Sequence, residues 1–341
     1  MASNTVDALT NTNLPATVAT DFSAVALDEQ YVPYNRKPGE GFLGESTYDA
    51  SNVKKCLTAS SSATGSITGG TAELLANEYR NFQIRIVEDT TTPTAVGQHA
   101  IIASHTAGTG AVFTLGANWA VTPSATAKFV IEYPNLILLW SSATAVTYTY
   151  NYSAATVNNG TNSIASGAWH ATYFGNRGGN MAAGCESFAS FGIVPDTSKN
   201  ARHSFIHSFR GASTTLDILD IAGAIAGSWT ASAVYDGSGS ATPNVGTCSS
   251  YAPCDNEGRF GYLNIYVVTA ATGAGINQMY RYDVKNRVLQ VITPTDWSQI
   301  GTAATGQRLA TYAVIDGSDT YTSALLLTHL SNIAMELIVQ V

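Results

Sequence analysis

Between His203 and Val341 one pattern recurs: an apolar run, a polar turn and a second apolar run. It reads SFIHSF, GAST and LDILDI, then LNIYVV, AATGAG and QMYRYDV, then ALLLTHL, SN and IAMELIVQV. A candidate earlier copy is LILLW, SSAT and VTYTYNY. The copies stand about 60 residues apart, and self-similarity at that period marks stacked or radially arrayed β units. Each unit is too small to bury its own apolar faces, so neighbours must cover them.

The texture of the runs agrees with this. Leu136 to Trp140, LILLW, is apolar at every position, as a strand covered on both faces should be. Val146, Tyr148, Tyr150 and Tyr152 alternate with Thr and Asn, the period of two that belongs to a strand. A radial array, the β-propeller, sandwiches each blade between two others. Two packed sheets would instead show cleaner in/out alternation.

The chain has 341 residues, 45% hydrophobic and only 12% charged. That balance is the opposite of a disordered polar chain, and the length suits two domains or one large β architecture. The formal net charge is −8, with no basic cluster larger than Lys54-Lys55. A nucleic-acid partner needs several cations on one surface, so none is expected. The N-terminus lacks the basic start and apolar core of a secretory signal, and no run approaches the roughly 18 apolar residues of a membrane span. No membrane partner is expected. Of the four cysteines only Cys248 and Cys254 are close, and two free thiols in a surface connection are favoured over a bridge.

Residues 1–60 read as an extended arm, with plain terminal disorder as the alternative, because Pro33, Pro38, Gly39 and Gly41 exclude a helix. Phe22, Val25, Leu27, Tyr31 and Phe42 imply that it docks, on its own body or on a neighbouring subunit. Residues 61–71, SSATGSITGGT, read as a linker, and ELLANEY as a single helical turn. Residues 82–133 then carry the short strands FQIRIV, HAIIASH, AVFTLG and KFVIEY, broken by Pro/Gly turns. They form a small inserted antiparallel β module. Residues 155–203 read as Gly/Asn-rich loops with one or two strands.

The inserted module resembles a β module that recurs in structural proteins of tailed bacteriophages. The likeness rests on the IRIV strand, a G-Q-x-x-x-I step from Gly97-Gln98 to Ile102, and a W-x-x-x-P turn from Trp119 to Pro123. The units after His203 resemble kelch-like propeller blades, in which a strand of the type I-Y-V-V precedes one ending Y-D. The matching positions are Ile265 to Val268, Tyr282-Asp283, the turn Val284 to Arg287 and Leu289; one copy earlier they are Phe205 to Phe209, Leu219-Asp220 and Trp229. This places Asp220 and Asp283 at equivalent points, each accepting a hydrogen bond within its own turn. Thr269-Ala270 stands where a kelch blade carries Gly-Gly, and the spacing exceeds the kelch repeat of about 50 residues. The fold implied is all-β: a kelch-like β-propeller of about four to six blades over residues 61–341, with the arm and the inserted module.

Candidate chemistry is sparse. His203 and His207 share a strand face, and with His170 they form the nearest thing to a metal set. Four strand residues span about 13 Å, too far to share one ion. Asp217 and Asp220 are the candidates for paired glycosidase carboxylates, but three positions apart on a strand they face opposite sides. Asp236 to Pro243, DGSGSATP, lacks a nucleophile elbow. Ile315 to Thr320, IDGSDT, lacks the ligands of a calcium loop. Both read as Asx turns. Tyr148, Tyr150, Tyr152, Trp140 and Trp169 offer stacking faces for a sugar, with packing between sheets as the stronger reading. No catalytic, cofactor-binding or metal residue is assigned and no cofactor is expected.

The function implied by the two resemblances is that of a non-enzymatic virion structural protein, at the neck, on the tail or decorating the capsid. It would be present in multiple copies, made in the host cytoplasm, and would act through contacts with capsid, portal or tail proteins. The alternatives are a module binding host-surface glycans and a propeller-type enzyme degrading polysaccharide.

Overall fold

The computed structural model describes residues 22–27, 57–70, 74–132, 134–142, 144–182, 186–193, 202–211, 213–233, 248–253, 261–268, 277–283, 288–292, 308–315, 321–328 and 334–340. These residues are all-β apart from turns and the 3-10 turn Pro93–Ala95.

The apolar runs of the repeat become paired hairpins. Sheet I is ordered Phe22–Leu27, Leu136–Ser141, Thr144–Asn151, Trp169–His170. Sheet II follows as Glu186–Ile193, Arg202–Phe209, Thr215–Asp220, Ser228–Ala233. Sheet III is Cys248–Pro253, Gly261–Val268, Asn277–Asp283, Val288–Ile292, and sheet IV is Arg308–Ile315, Tyr321–Thr328, Ala334–Gln340. All pairings are antiparallel. Every copy recognised in the sequence is the second and third strand of one sheet. The first strands of successive sheets lie beside one another, 22–27 by 186–193, 186–193 by 248–253, and 248–253 by 308–315.

Burial on both faces follows from this succession. In sheet II, Ile206 and Leu219 join the large core that also holds Leu136, Leu138 and Trp140 of sheet I. From the opposite face Phe209, Leu216 and Ile218 pack with Leu263, Ile265, Tyr280 and Tyr282 of sheet III. The expected equivalence of the two aspartates holds in the pairing: Asp220 lies opposite Phe205 and Ser228, Asp283 opposite Tyr262 and Val288. Both therefore close the third strand of their sheets. Trp229 and Leu289 also correspond, facing Leu219 and Tyr282. The register makes Tyr262, rather than Ile265, the counterpart of Phe205.

The inserted module enters between the first and second strands of sheet I. Its seven-stranded sheet runs Leu57–Thr58, Lys128–Glu132, Gln83–Glu88, His99–His105, Val112–Leu115, Ser66–Thr68, Ser61–Ala63. The stretch 57–63 serves both edges. Ala59 N–H donates to Ala127 O (2.8 Å) at one, and Ser60 N–H to Thr68 O (2.9 Å) at the other. Adjacent residues are only about 3.8 Å apart, so the sheet must curl until its edges nearly meet. Ile67, Ile84, Ile86, Phe113 and Phe129 fill the space inside, fully buried.

Several local expectations change. Residues 61–68 are a hairpin rather than a linker, because Ile67 inserts into the module core among residues too polar to show a period. Within ELLANEY the helical turn is replaced by tight turns with Asn77 (φ 60°) and the following Asn81 (φ 66°) left-handed, a conformation asparagine tolerates better than most residues. The connection 155–203 holds more strand than expected: a hairpin Val157–Asn158 with Ser163–Ile164, the outer strand of sheet I, and the first strand of sheet II. Of the arm, Phe22–Leu27 docks on the protein's own body against Leu136–Ser141, and residues 57–60, read as its end, belong to the module's sheet; the rest lies outside the described residues.

Candidate functional site

The Gly97-Gln98 step and the Trp119 to Pro123 turn, more than 20 residues apart in sequence, meet at one end of the module. Gly97 turns the chain with φ 87°, which presents the Gln98 amide to the loop beginning at Trp119. Gln98 Nε2 donates to Val121 O and Val121 N–H donates to Gln98 Oε1, both at 2.9 Å. Trp119 is buried beneath this clamp. A second clamp lies alongside: the Asp89 carboxylate accepts from Thr91 N–H (3.1 Å), Thr92 N–H (2.8 Å), Ser124 N–H (2.7 Å) and Ser124 Oγ (2.7 Å). Burial pushes the Asp89 carboxyl up, but these donors outweigh it and hold the group below its ordinary value.

The loops so fixed, 90–98 and 117–127, contain no charged residue. Thr90, Thr91, Pro93, Thr94, Val96 and Val121 stand exposed on them. The chemistry available there is a rigid, uncharged surface of methyl and hydroxyl groups. That is suited to contact with another protein, because little charge must be desolvated and little loop entropy is lost.

The module is held to sheets I and II through the loop 221–227, which joins the last two strands of sheet II. Asn81 Nδ2 donates to Ile221 O (2.7 Å) and Ala224 O (2.9 Å), and Arg80 reaches Gly223 O at 3.4 Å. Asn159 Nδ2 donates to Ile225 O (3.0 Å) and Gly175 N–H to Ala226 O (2.6 Å). The segment carrying Asn81 is itself pinned by buried His105. Tyr79 N–H donates to His105 Nε2 (2.9 Å), His105 Nδ1 lies 2.8 Å from Thr106 O, and His105 N–H donates to Asn77 Oδ1 (2.9 Å). A carbonyl cannot donate, so Nδ1 carries the proton and the ring is neutral.

The carboxylates weighed for catalysis separate as their spacing required. Asp220 Oδ1 accepts from Ala222 N–H at 3.0 Å, the Asx turn expected of it. Asp217 is buried and takes Arg210 in a two-point ion pair, both contacts 2.7 Å, with Arg177 Nε at 3.8 Å. That bond raises Arg210 above its already high value. Arg177 also donates to Gly179 O (2.6 Å) and Ser208 Oγ (2.8 Å). The group borders a cleft of about 280 Å³ walled by Trp229 and Thr230. With both oxygens held by guanidinium donors, Asp217 serves as an ion-pair partner, not as half of an acid-base pair.

His207 is buried in sheet II, whereas His170 ends sheet I, with its Nδ1 accepting from Thr172 N–H (3.1 Å) and burial lowering its pKa. Among the described residues no group of three His, Cys, Asp or Glu is placed to hold a metal, and no helix is long and apolar enough to cross a membrane. The aromatic set is packed. Trp140 is fully buried, and Tyr148, Tyr150 and Trp169 form a buried cluster with Ile137 and Leu139 on the other face of sheet I. Only Tyr152 stays substantially exposed, at 38%. The loops 236–243 and 316–320, the turn 284–287, and Cys254 lie outside the described residues, as do the side chains of His203 and Cys248.

Asn81 and His105 carry the module's attachment, Asn159 ties the 157–164 hairpin to the same loop, and none was singled out in the sequence. Their bonds join positions more than 20 residues apart, and only the Asn preference for left-handed turns hints at Asn81. Comparison with known protein families, with curated proteins and with solved structures finds no match to this chain.

Proposed function

We propose that this chain is a structural component of a tailed-phage particle, at the neck, on the tail or decorating the capsid, acting through protein–protein contacts. The observation that carries this reading is the clamp between Gln98 and Val121. It unites in one place two of the three motifs on which the resemblance to phage modules rests, beneath a stiff and uncharged loop surface. Loops that display function are set on rigid scaffolds, and here two polar clamps stiffen loops whose exposed side chains offer contact rather than chemistry. Fold analogy alone is an associational warrant, so the test is direct. Particles purified from a lysate that expresses the chain are probed with antibody to it, and labelling at one fixed position on the particle is expected. Protein found only in the particle-free fraction overturns the proposal.

In the same reading the four sheets are blades of a kelch-like propeller. The side-by-side first strands and the alternating cores between sheets I and II and between II and III support it. Ring closure requires a further sheet to cover the Tyr148, Tyr150 and Trp169 face of sheet I. An experimental structure of the full chain with sheet IV, or a partner's sheet, on that face supports the ring. An open stack with sheet IV remote from that face supports the sandwich alternative.

A further inference from the structure

We propose that His105 is a proton-operated latch: when its ring takes up a second proton, the segment 74–81 loosens and the module releases its grip on the loop 221–227.

The argument starts from the ring's two nitrogens. Nδ1 donates to Thr106 O, so Nε2 is the acceptor that holds Tyr79 N–H. A second proton turns Nε2 into a donor facing a donor, and the Tyr79 amide must move away. That amide cannot move alone. Arg80 N–H donates to Asn77 O and Phe82 N–H to Tyr79 O, so the turn shifts as a unit. The same unit carries Asn81 and Arg80, the two residues of the module that bond to Ile221, Gly223 and Ala224.

The surroundings keep the latch closed at neutral pH. Tyr79 lies stacked on the ring at 6.3 Å and Phe113 is tilted against it at 4.9 Å, so no solvent shell stabilises an imidazolium. The ionisable groups on the packed segment are Glu78, Tyr79 and Arg80. Glu78 accepts from Leu75 N–H, and the positive charge of Arg80 opposes a second one on the ring. The facing strand contributes Phe113, which is uncharged, and His99 on the ring's own strand is about 20 Å away along the chain. Opening relieves this confinement, so protonation and release are linked.

The test is NMR of the full chain with labelled histidine and backbone amides, titrated downward from neutral pH. The His105 ring should titrate with a midpoint below the ordinary 6.5, and the amides of residues 222–227 should shift with that same midpoint. In Asn81→Gly, which keeps the left-handed turn but removes the side-chain bonds, His105 should still titrate while those amides no longer follow it. In His105→Gln the shared transition should vanish. Amides 222–227 that stay still as His105 titrates, that move with a different midpoint, or that keep the transition in His105→Gln overturn the latch.

Discussion

His105 and Asp89 show how single buried groups set the acid behaviour of the module. Burial lowers the pKa of His105, aided by Arg80 and opposed by the bond to Thr106. The unfolded chain therefore binds more protons than the folded one between the depressed value and 6.5, and the free energy of unfolding rises with pH across that window. The contribution is complete above 6.5 and is lost as pH falls below it. Asp89, also depressed, adds stability above its unfolded value of 3.8 that is lost as pH falls through its folded value. Urea unfolding between about pH 5 and 7 should show this slope, and His105→Gln should flatten it. At Asp220 the effect is smaller. Asp220→Ala removes the bond from Ala222 N–H, and chemical denaturation should register a loss of about 0.5–1.5 kcal/mol. No loss at all would remove Asp220 from the turn.

At the scale of elements, the contact between sheets I and II depends on Trp229. Its ring meets Trp140 edge to face at 6.0 Å, and its Nε1 donates to Gly175 O at 2.7 Å. That carbonyl also accepts from Thr147, which in turn accepts from Trp140. Trp229→Ala should cost about 3 kcal/mol, the lower end for tryptophan truncation because the ring is half-buried; a loss under about 1 kcal/mol on thermal or urea unfolding contradicts the packing. The module's seat against the 157–164 hairpin is tighter still. A Cβ on Gly116 would stand 1.9 Å from Asn158 O, a backbone clash that no rotamer relieves. Gly116→Ala should destabilise by about 3 kcal/mol, and unchanged unfolding of that variant is the result that excludes this close approach. These elements differ in how far the sequence reveals them. LILLW announces a strand by its unbroken apolarity, and SFIHSF and LDILDI by large apolar residues at both odd and even positions, which the sandwiching of sheet II explains. CSSYAP, Cys248–Pro253, carries little apolar mass. Phe22–Leu27 gains its meaning only from a partner more than 100 residues away, so local periodicity leaves both silent. Gln98 was visible as a motif residue; that it grips Val121 is a long-range fact no spacing encodes.

At the scale of the molecule, the described residues form a succession of antiparallel sheets whose first strands lie side by side, with a curled module set into the first sheet and tied back to the second. Charge is scarce on the module's clamped end, and the described cleft is walled by an ion pair already satisfied from within. Such a body offers shape and stiffness, which is what a particle component working by contact requires. Quantitative mass spectrometry of purified particles is the most direct test of that claim. The chain should co-purify with the shell and tail proteins at a fixed ratio, in multiple copies, through density-gradient banding and washing. A chain abundant in the lysate but absent from banded particles contradicts it.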